Sequence, residues 1–200
     1  MIMKKLLPLL IVLLVGASRL RAGAETEDLA AAVAAGKVSI TFRGKGSSSG
    51  DSILATIATT AKAGGGDLVM TVATGTRLQS ENASAQNMVI ANVKGEMMSG
   101  TSYSPSREIQ ASATPKTFVF EAYCMNFEKN NPSAKTGFRL GRVDPVLACI
   151  LNEGSSLKVK QAAVWIYTDK ASYSHVNQKF PVSQADWATA AAIVKKCSAK

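Results

Sequence analysis

Residues 115–124 read PKTFVFEAYC, and they separate two parts of the chain that differ in character. The stretch is rich in aromatic and β-branched residues, which is typical of a β-strand. Earlier segments alternate between apolar and polar residues, whereas helix signals dominate the later ones. We therefore expect an α+β protein, with a β-rich region at residues 25–123 and a helical region at residues 124–200 that packs on it as one unit.

The β-rich region contains several short strand-like runs. The clearest begins at Val38, where Val38, Ile40 and Phe42 alternate with polar residues as in a half-buried strand. Turns that contain glycine separate it from similar runs at residues 53–60, 67–73 and 86–93. About six or seven strands at this spacing predict an antiparallel β-sandwich.

The helical region opens with a polar connector, residues 127–142, and then shows three helix starts. Asp144-Pro145 supplies an N-cap acceptor followed by proline at the first helical position. A second segment follows at residues 155–168, and Ser183 begins a third in a capping-box-like arrangement. The sequence thus predicts a small group of helices after the sheet.

The N-terminus has the features of a secretory signal. Lys4 and Lys5 precede an apolar run at residues 6–15, and Ala22-Gly23-Ala24 fits a cleavage site. The apolar run is shorter than the ~20 residues that cross a bilayer, although a retained anchor is the alternative. We expect residues 1–24 to be removed, leaving a secreted or periplasmic protein with no membrane span in the mature chain.

Composition argues against several classes of function. The formal net charge is +9, but four of the 23 basic residues leave with the signal while all 14 acids remain, giving +5. This charge is spread out and aromatic residues are few, so a nucleic-acid role is not expected. One histidine, His175, lies in a polar segment, and no zinc-ligand spacing occurs. We expect a protein that is not an enzyme and has no cofactor and no metal.

Three cysteines leave at least one without a partner in the same chain. Cys149 and Cys197 both lie on apolar stripes of predicted helices, so a Cys149–Cys197 disulfide is expected, with Cys124 as the odd thiol. Two alternatives stay open at this point. The disulfide could join Cys124 to Cys149, or all three thiols could be buried and reduced.

Two short motifs carry a family resemblance. The first, Tyr123-Cys124, ends the predicted strand at residues 115–124. The second is Gln161-Ala162-Ala163-Val164-Trp165, which is followed by Tyr167-Thr168-Asp169. This pattern resembles the thioester domains of bacterial surface proteins, over roughly residues 122–170. There a cysteine in a Tyr-Cys motif is cross-linked to the glutamine of a Thr-Gln-x-Ala motif.

The resemblance implies that Cys124 supplies the sulfur and Gln161 the acyl group, with Tyr123 and Trp165 shielding the bond. Such a thioester is a masked electrophile that captures amines. The chain departs from the family pattern in the two motifs and their spacing. Lys160 stands where the family has threonine, and only 36 residues separate Cys124 from Gln161, whereas the family usually has many more. A stalk and a cell-wall anchor, which the family pattern also includes, are not expected here.

Helical spacing places Gln161 on one stripe with Leu157 and Trp165. A carboxamide there is costly unless it has partners, which suits either a shielded acyl donor or a core glutamine bonded to backbone. In both cases we expect Cys124 and Gln161 to face each other where the last strand meets the Trp165 helix.

The leading hypothesis is an exported, non-catalytic binding or interaction module. It would present loops such as residues 44–50 and 127–142 to a protein or a cell-surface ligand. The alternative is a covalent adhesin that captures amines through a Cys124–Gln161 internal thioester. An extracytoplasmic hydrolase is a third hypothesis, supported only by scattered Ser, Asp and His residues.

Overall fold

The structure is a computed structural model that describes residues 26–199. The predicted signal at residues 1–24 and its cleavage site lie outside the described residues. The strands are β1 (Glu27–Asp28), β2 (Val38–Gly44), β3 (Ser49–Thr59), β4 (Leu68–Thr71), β5 (Thr76–Ser80), β6 (Met88–Ser99), β7 (Ser102–Pro105), β8 (Ile109–Ala111), β9 (Lys116–Cys124) and β10 (Gly137–Val143). The helices are α1 (Leu29–Ala34), α2 (Pro145–Glu153), α3 (Leu157–Asp169), α4 (Tyr173–Lys179) and α5 (Gln184–Ser198).

Six antiparallel strands form a closed barrel in the order β5-β10-β2-β3-β9-β6, which pairing between β5 and β6 completes. The α+β class is confirmed, but the predicted sandwich is replaced by this ring. The reason is β10, which lies almost entirely in the predicted connector 127–142 and pairs with both β2 and β5. The helical region therefore also contributes a strand to the sheet. Closure leaves these six strands without an open edge.

Two smaller features flank the barrel. Strand β7 extends the sheet beyond β6, and a separate three-stranded sheet has the order β1-β4-β8. In that small sheet β1 runs parallel to β4, and β4 runs antiparallel to β8.

Strand β9 is buried along most of its length. Alternate side chains of a strand point to opposite faces, and here residues 118–120 and 122–124 are buried on both. Glu121 is the one side chain in this run that keeps some exposure. On one face Phe120 packs edge-on against Phe42 of β2, with ring centroids 5.9 Å apart. Burial on both faces accounts for the largely apolar run at residues 118–124.

Three helices pack together behind this strand, with α3 in contact with β9, α2 and α5. The predicted caps are present: Asp144 accepts hydrogen bonds from the first turn of α2, and Ser183 caps α5. Cys149 of α2 and Cys197 of α5 form a disulfide with a Cα–Cα distance of 5.7 Å. The polar segment that contains His175 forms the short helix α4. None of the helices among residues 26–199 combines the length and apolar character needed to cross a bilayer.

Candidate functional site at the junction of β9 and α3

Cys124 and Gln161 meet where β9 ends and α3 begins. Cys124 is the last residue of β9, and Gln161 lies in the second turn of α3, whose first turn is capped by Ser156. Both side chains are completely buried. The strand end and the helix start are thus fixed against each other by residues that the sequence had singled out.

The contact between them runs through the backbone of Cys124. The Gln161 side-chain amide donates to the Cys124 carbonyl at 2.8 Å, and the Cys124 amide donates to the Gln161 side-chain oxygen at 3.0 Å. The same Cys124 amide also donates to the carbonyl of Ser48 at 2.9 Å. The carboxamide pairs with the strand end much as a peptide group of a neighbouring strand would. Both of its polar ends are satisfied, which offsets the cost of burying it.

The Cys124 thiol lies in an apolar setting. Its sulfur is 3.3 Å from the sulfur of Met88, the residue opposite it on β6. Burial raises the pKa of the Cys124 thiol far above its usual range. A thiol in this setting stays protonated, whereas nucleophilic cysteines lie near cations or helix N-termini that favour the thiolate.

Trp165 covers one side of the junction, one helical turn beyond Gln161. It is 3% exposed, and its indole donates to the side-chain oxygen of Gln86 at 3.4 Å. Phe127 and Phe180 pack edge-on against it, with centroid distances of 4.9 and 5.3 Å. Next to these rings is a cavity of about 310 Å³ with a polar rim, formed by Ser48, Gln86, Glu128, Lys129, Asn130, Asn131 and Lys179.

Tyr123 belongs to a polar cluster centred on Glu121. The Tyr123 hydroxyl donates to one carboxylate oxygen of Glu121 at 2.5 Å, and the Lys160 amine approaches the same oxygen at 3.2 Å. Asn92 of β6 donates its side-chain amide to the other oxygen at 2.8 Å. Burial acts to raise the pKa of Glu121, but the hydrogen bonds from Tyr123 and Asn92 and the charge of Lys160 outweigh it and lower the pKa. Burial and the bond to Glu121 raise the pKa of Tyr123.

A second carboxylate lies beside this cluster. Asp51 of β3 is directly opposite Glu121 in the strand register, and Tyr103 of β7 donates to it at 2.9 Å. Like charges placed opposite each other destabilise a sheet unless donors offset them, as the hydroxyl groups do here. The cluster opens into a groove of about 430 Å³ lined by Asn92, Tyr103, Arg107 and Glu121 among others. Sequence reasoning missed this cluster, although a charged residue inside the apolar run 118–124 was a usable signal.

Asp169, the last residue of the second motif, holds the loop that follows Cys124. Its carboxylate accepts from the backbone amides of Asn126 and Phe127 at 3.2 and 3.1 Å, and from the Thr168 hydroxyl at 2.6 Å. Asn126 has a positive φ of 65°, so the chain turns sharply at this point. Thr168 and Asp169 therefore stabilise the loop after Cys124, a role that motif spacing alone did not predict.

Among residues 26–199, no group of three or more His, Cys, Asp and Glu side chains is arranged to hold a metal ion. Comparison of the chain with protein-family models, with curated proteins and with solved structures finds no significant match.

Proposed function

We propose that the chain is an exported, non-catalytic binding module in which Cys124 and Gln161 form a structural joint. One observation carries the structural role of the joint: both ends of the Gln161 carboxamide are engaged by the backbone of Cys124, while the thiol packs against Met88. The raised pKa of the thiol points the same way, because attack on a carboxamide needs a thiolate.

The proposed binding face is formed by the β2–β3 turn and the β9–β10 loop, which lie largely within the predicted loops 44–50 and 127–142; the rest of the second range is strand β10. The Gly46 amide donates to the Pro132 carbonyl at 2.9 Å, and the Gly44 amide donates to the Thr136 carbonyl at 3.2 Å. The two loops are therefore one surface, and they border the cavity beside Trp165. Its amide and charged rim over buried aromatic rings suits a protein or a polar cell-surface ligand.

The alternative is covalent adhesion through an internal thioester. Its support is the closeness of the two residues, which the resemblance to thioester domains required. The Cys124 sulfur would bond to the side-chain carbonyl carbon of Gln161, the bond from that carbon to the amide nitrogen would break, and ammonia would leave. The carboxamide would first have to release the backbone of Cys124.

The two proposals differ in their response to an amine. The mature protein is incubated with methylamine, and its intact mass is compared with that of the untreated protein and of Cys124→Ala. A structural joint predicts no shift with methylamine and a Cys124 that is alkylated only after unfolding. A methylamine adduct on Gln161 that Cys124→Ala abolishes would establish the thioester.

Binding is tested by co-sedimentation with the isolated cell envelope of the producing organism. Asn130→Ala and Lys179→Ala, on the rim of the cavity, should weaken sedimentation. Lys158→Ala, an exposed change on α3, is the matched control, and Cys124→Ala should bind like the wild type. Equal binding by the rim variants and the wild type would reject this face.

A further inference from the structure

The Glu121 carboxylate bridges an amine and a carboxamide that come from different elements. Lys160 of α3 contacts one oxygen at 3.2 Å, and Asn92 of β6 donates to the other at 2.8 Å. An ordinary ion pair needs only the contact with Lys160. Here one carboxylate contacts both the Lys160 amine, a potential nucleophile, and the Asn92 amide nitrogen, a potential leaving group.

These groups are held in a protected place. The side chains of Lys160 and Glu121 are only 19% and 14% exposed. The Lys160 amine also lies 5.8 Å from the centre of the Tyr123 ring, and the Tyr123 hydroxyl holds Glu121 in position. Confinement of two reacting groups in one site replaces an encounter in solution and speeds a reaction greatly.

We propose that Lys160 and Asn92 become joined by an intramolecular isopeptide bond, with Glu121 as the proton carrier. Glu121 takes a proton from the Lys160 ammonium, and the freed lone pair attacks the side-chain carbonyl carbon of Asn92. The new nitrogen–carbon bond forms as the bond from that carbon to the Asn92 amide nitrogen breaks. Glu121 passes its proton to the departing nitrogen, which also takes the second proton lost by the Lys160 nitrogen and leaves as ammonium.

The surroundings of Glu121 suit both of its roles. One carboxylate oxygen contacts the Lys160 amine that gives up a proton, and the other contacts the Asn92 nitrogen that needs one. Asn92 and Glu121 both line the groove of about 430 Å³, which gives the ammonia a route out. No oxidant, reductant or further reactant is required.

This bond is independent of the Cys124–Gln161 joint. It would tie the barrel strand β6 to helix α3 through Lys160, the residue that departs from the resembled thioester motif. Because a thioester also releases one ammonia, the test is made in Cys124→Ala, which cannot form a thioester.

The experiment is intact-mass measurement of Cys124→Ala, followed by tryptic mapping. We expect a mass lower than the sequence mass by one ammonia, and a branched peptide that joins the segments containing Asn92 and Lys160. Lys160→Arg should restore the sequence mass, because arginine keeps the ion pair but stays protonated at neutral pH and is not a nucleophile. Glu121→Gln should slow the loss at least tenfold, and Lys158→Arg, a change of the exposed neighbour on α3, should leave it unchanged.

A mass equal to the sequence mass, with Asn92 and Lys160 in separate tryptic peptides, would overturn the proposal. So would a mass deficit that persists in Lys160→Arg. Methylamine gives a further distinction, because a formed amide bond does not react with it whereas a thioester does.

Discussion

The role of Gln161 can be decided by comparing the stability cost of two single substitutions with that of the double substitution. Gln161→Ala removes two buried hydrogen bonds to the Cys124 backbone. At about 1 kcal/mol for each bond this is about 2 kcal/mol. The space left by the side chain adds about 1–2 kcal/mol, so the free energy of unfolding should fall by about 3–4 kcal/mol.

Cys124→Ala should cost less, because the alanine retains the backbone groups that Gln161 binds. Only the sulfur and its contact with Met88 are lost. Removal of one buried group of this size costs about 1–2 kcal/mol. The double variant should lose close to the sum, with a coupling energy under about 1 kcal/mol.

The assay is urea unfolding followed by far-ultraviolet circular dichroism, with the disulfide kept oxidised. If the slope of the unfolding transition with urea concentration is the same for each variant as for the wild type, a change in the transition midpoint reports a change in stability. A thioester predicts a different result: either single substitution removes the same cross-link, so the two losses should be similar and the double variant should lose little more. Equal, non-additive losses would refute the structural joint.

Three further predictions concern the same half of the molecule. Iodoacetamide should label Cys124 very slowly in the folded protein and rapidly in urea, because burial raises the pKa of the thiol; fast labelling of the folded protein would contradict its burial. Replacement of Cys149 and Cys197 by serine should lower the free energy of unfolding by about 4 kcal/mol, from the chain entropy of a 48-residue separation, as measured by urea unfolding. Asp169→Ala should cost about 2–3 kcal/mol by leaving two backbone amides without their acceptor, and a loss below 1 kcal/mol would show that water replaces the carboxylate.

Sequence patterns predicted those elements whose signals are local. The alternation that begins at Val38 marks β2, and Asp144-Pro145 marks the start of α2, because side-chain alternation and N-capping act over a few residues. The helix that carries Gln161 and Trp165 was also predicted, since buried residues one turn apart have a recognisable spacing. Leu157, which the same spacing placed beside them, is 44% exposed because it is the first residue of α3.

The closure of the barrel could not be predicted from such local patterns. Strand β10 contains Gly137 and Gly141 and has little apolar alternation, so it looked like a polar connector. Its place depends on Phe138, which pairs with Phe42 on one side and with Ser80 on the other. Those partners are far away in sequence, and no local pattern of β10 records them.

The polar cluster around Glu121 was hidden for the same reason. Asn92 and Lys160 lie 29 and 39 residues from Glu121, on different elements that only the finished fold brings together. The sequence showed a charge inside a buried strand, but not which groups would surround it.

Closure of the barrel by β10 affects the order in which the protein can fold. A chain made from its N-terminus exposes β2, β3, β5, β6 and β9 before residues 137–143, which link β5 to β2, have been synthesised. Until then both of those strands have an unpaired edge, and unpaired edges favour association with other chains. A fragment that stops at Cys124 should therefore aggregate rather than fold, and a chaperone that holds unfolded chains would be most needed during this interval.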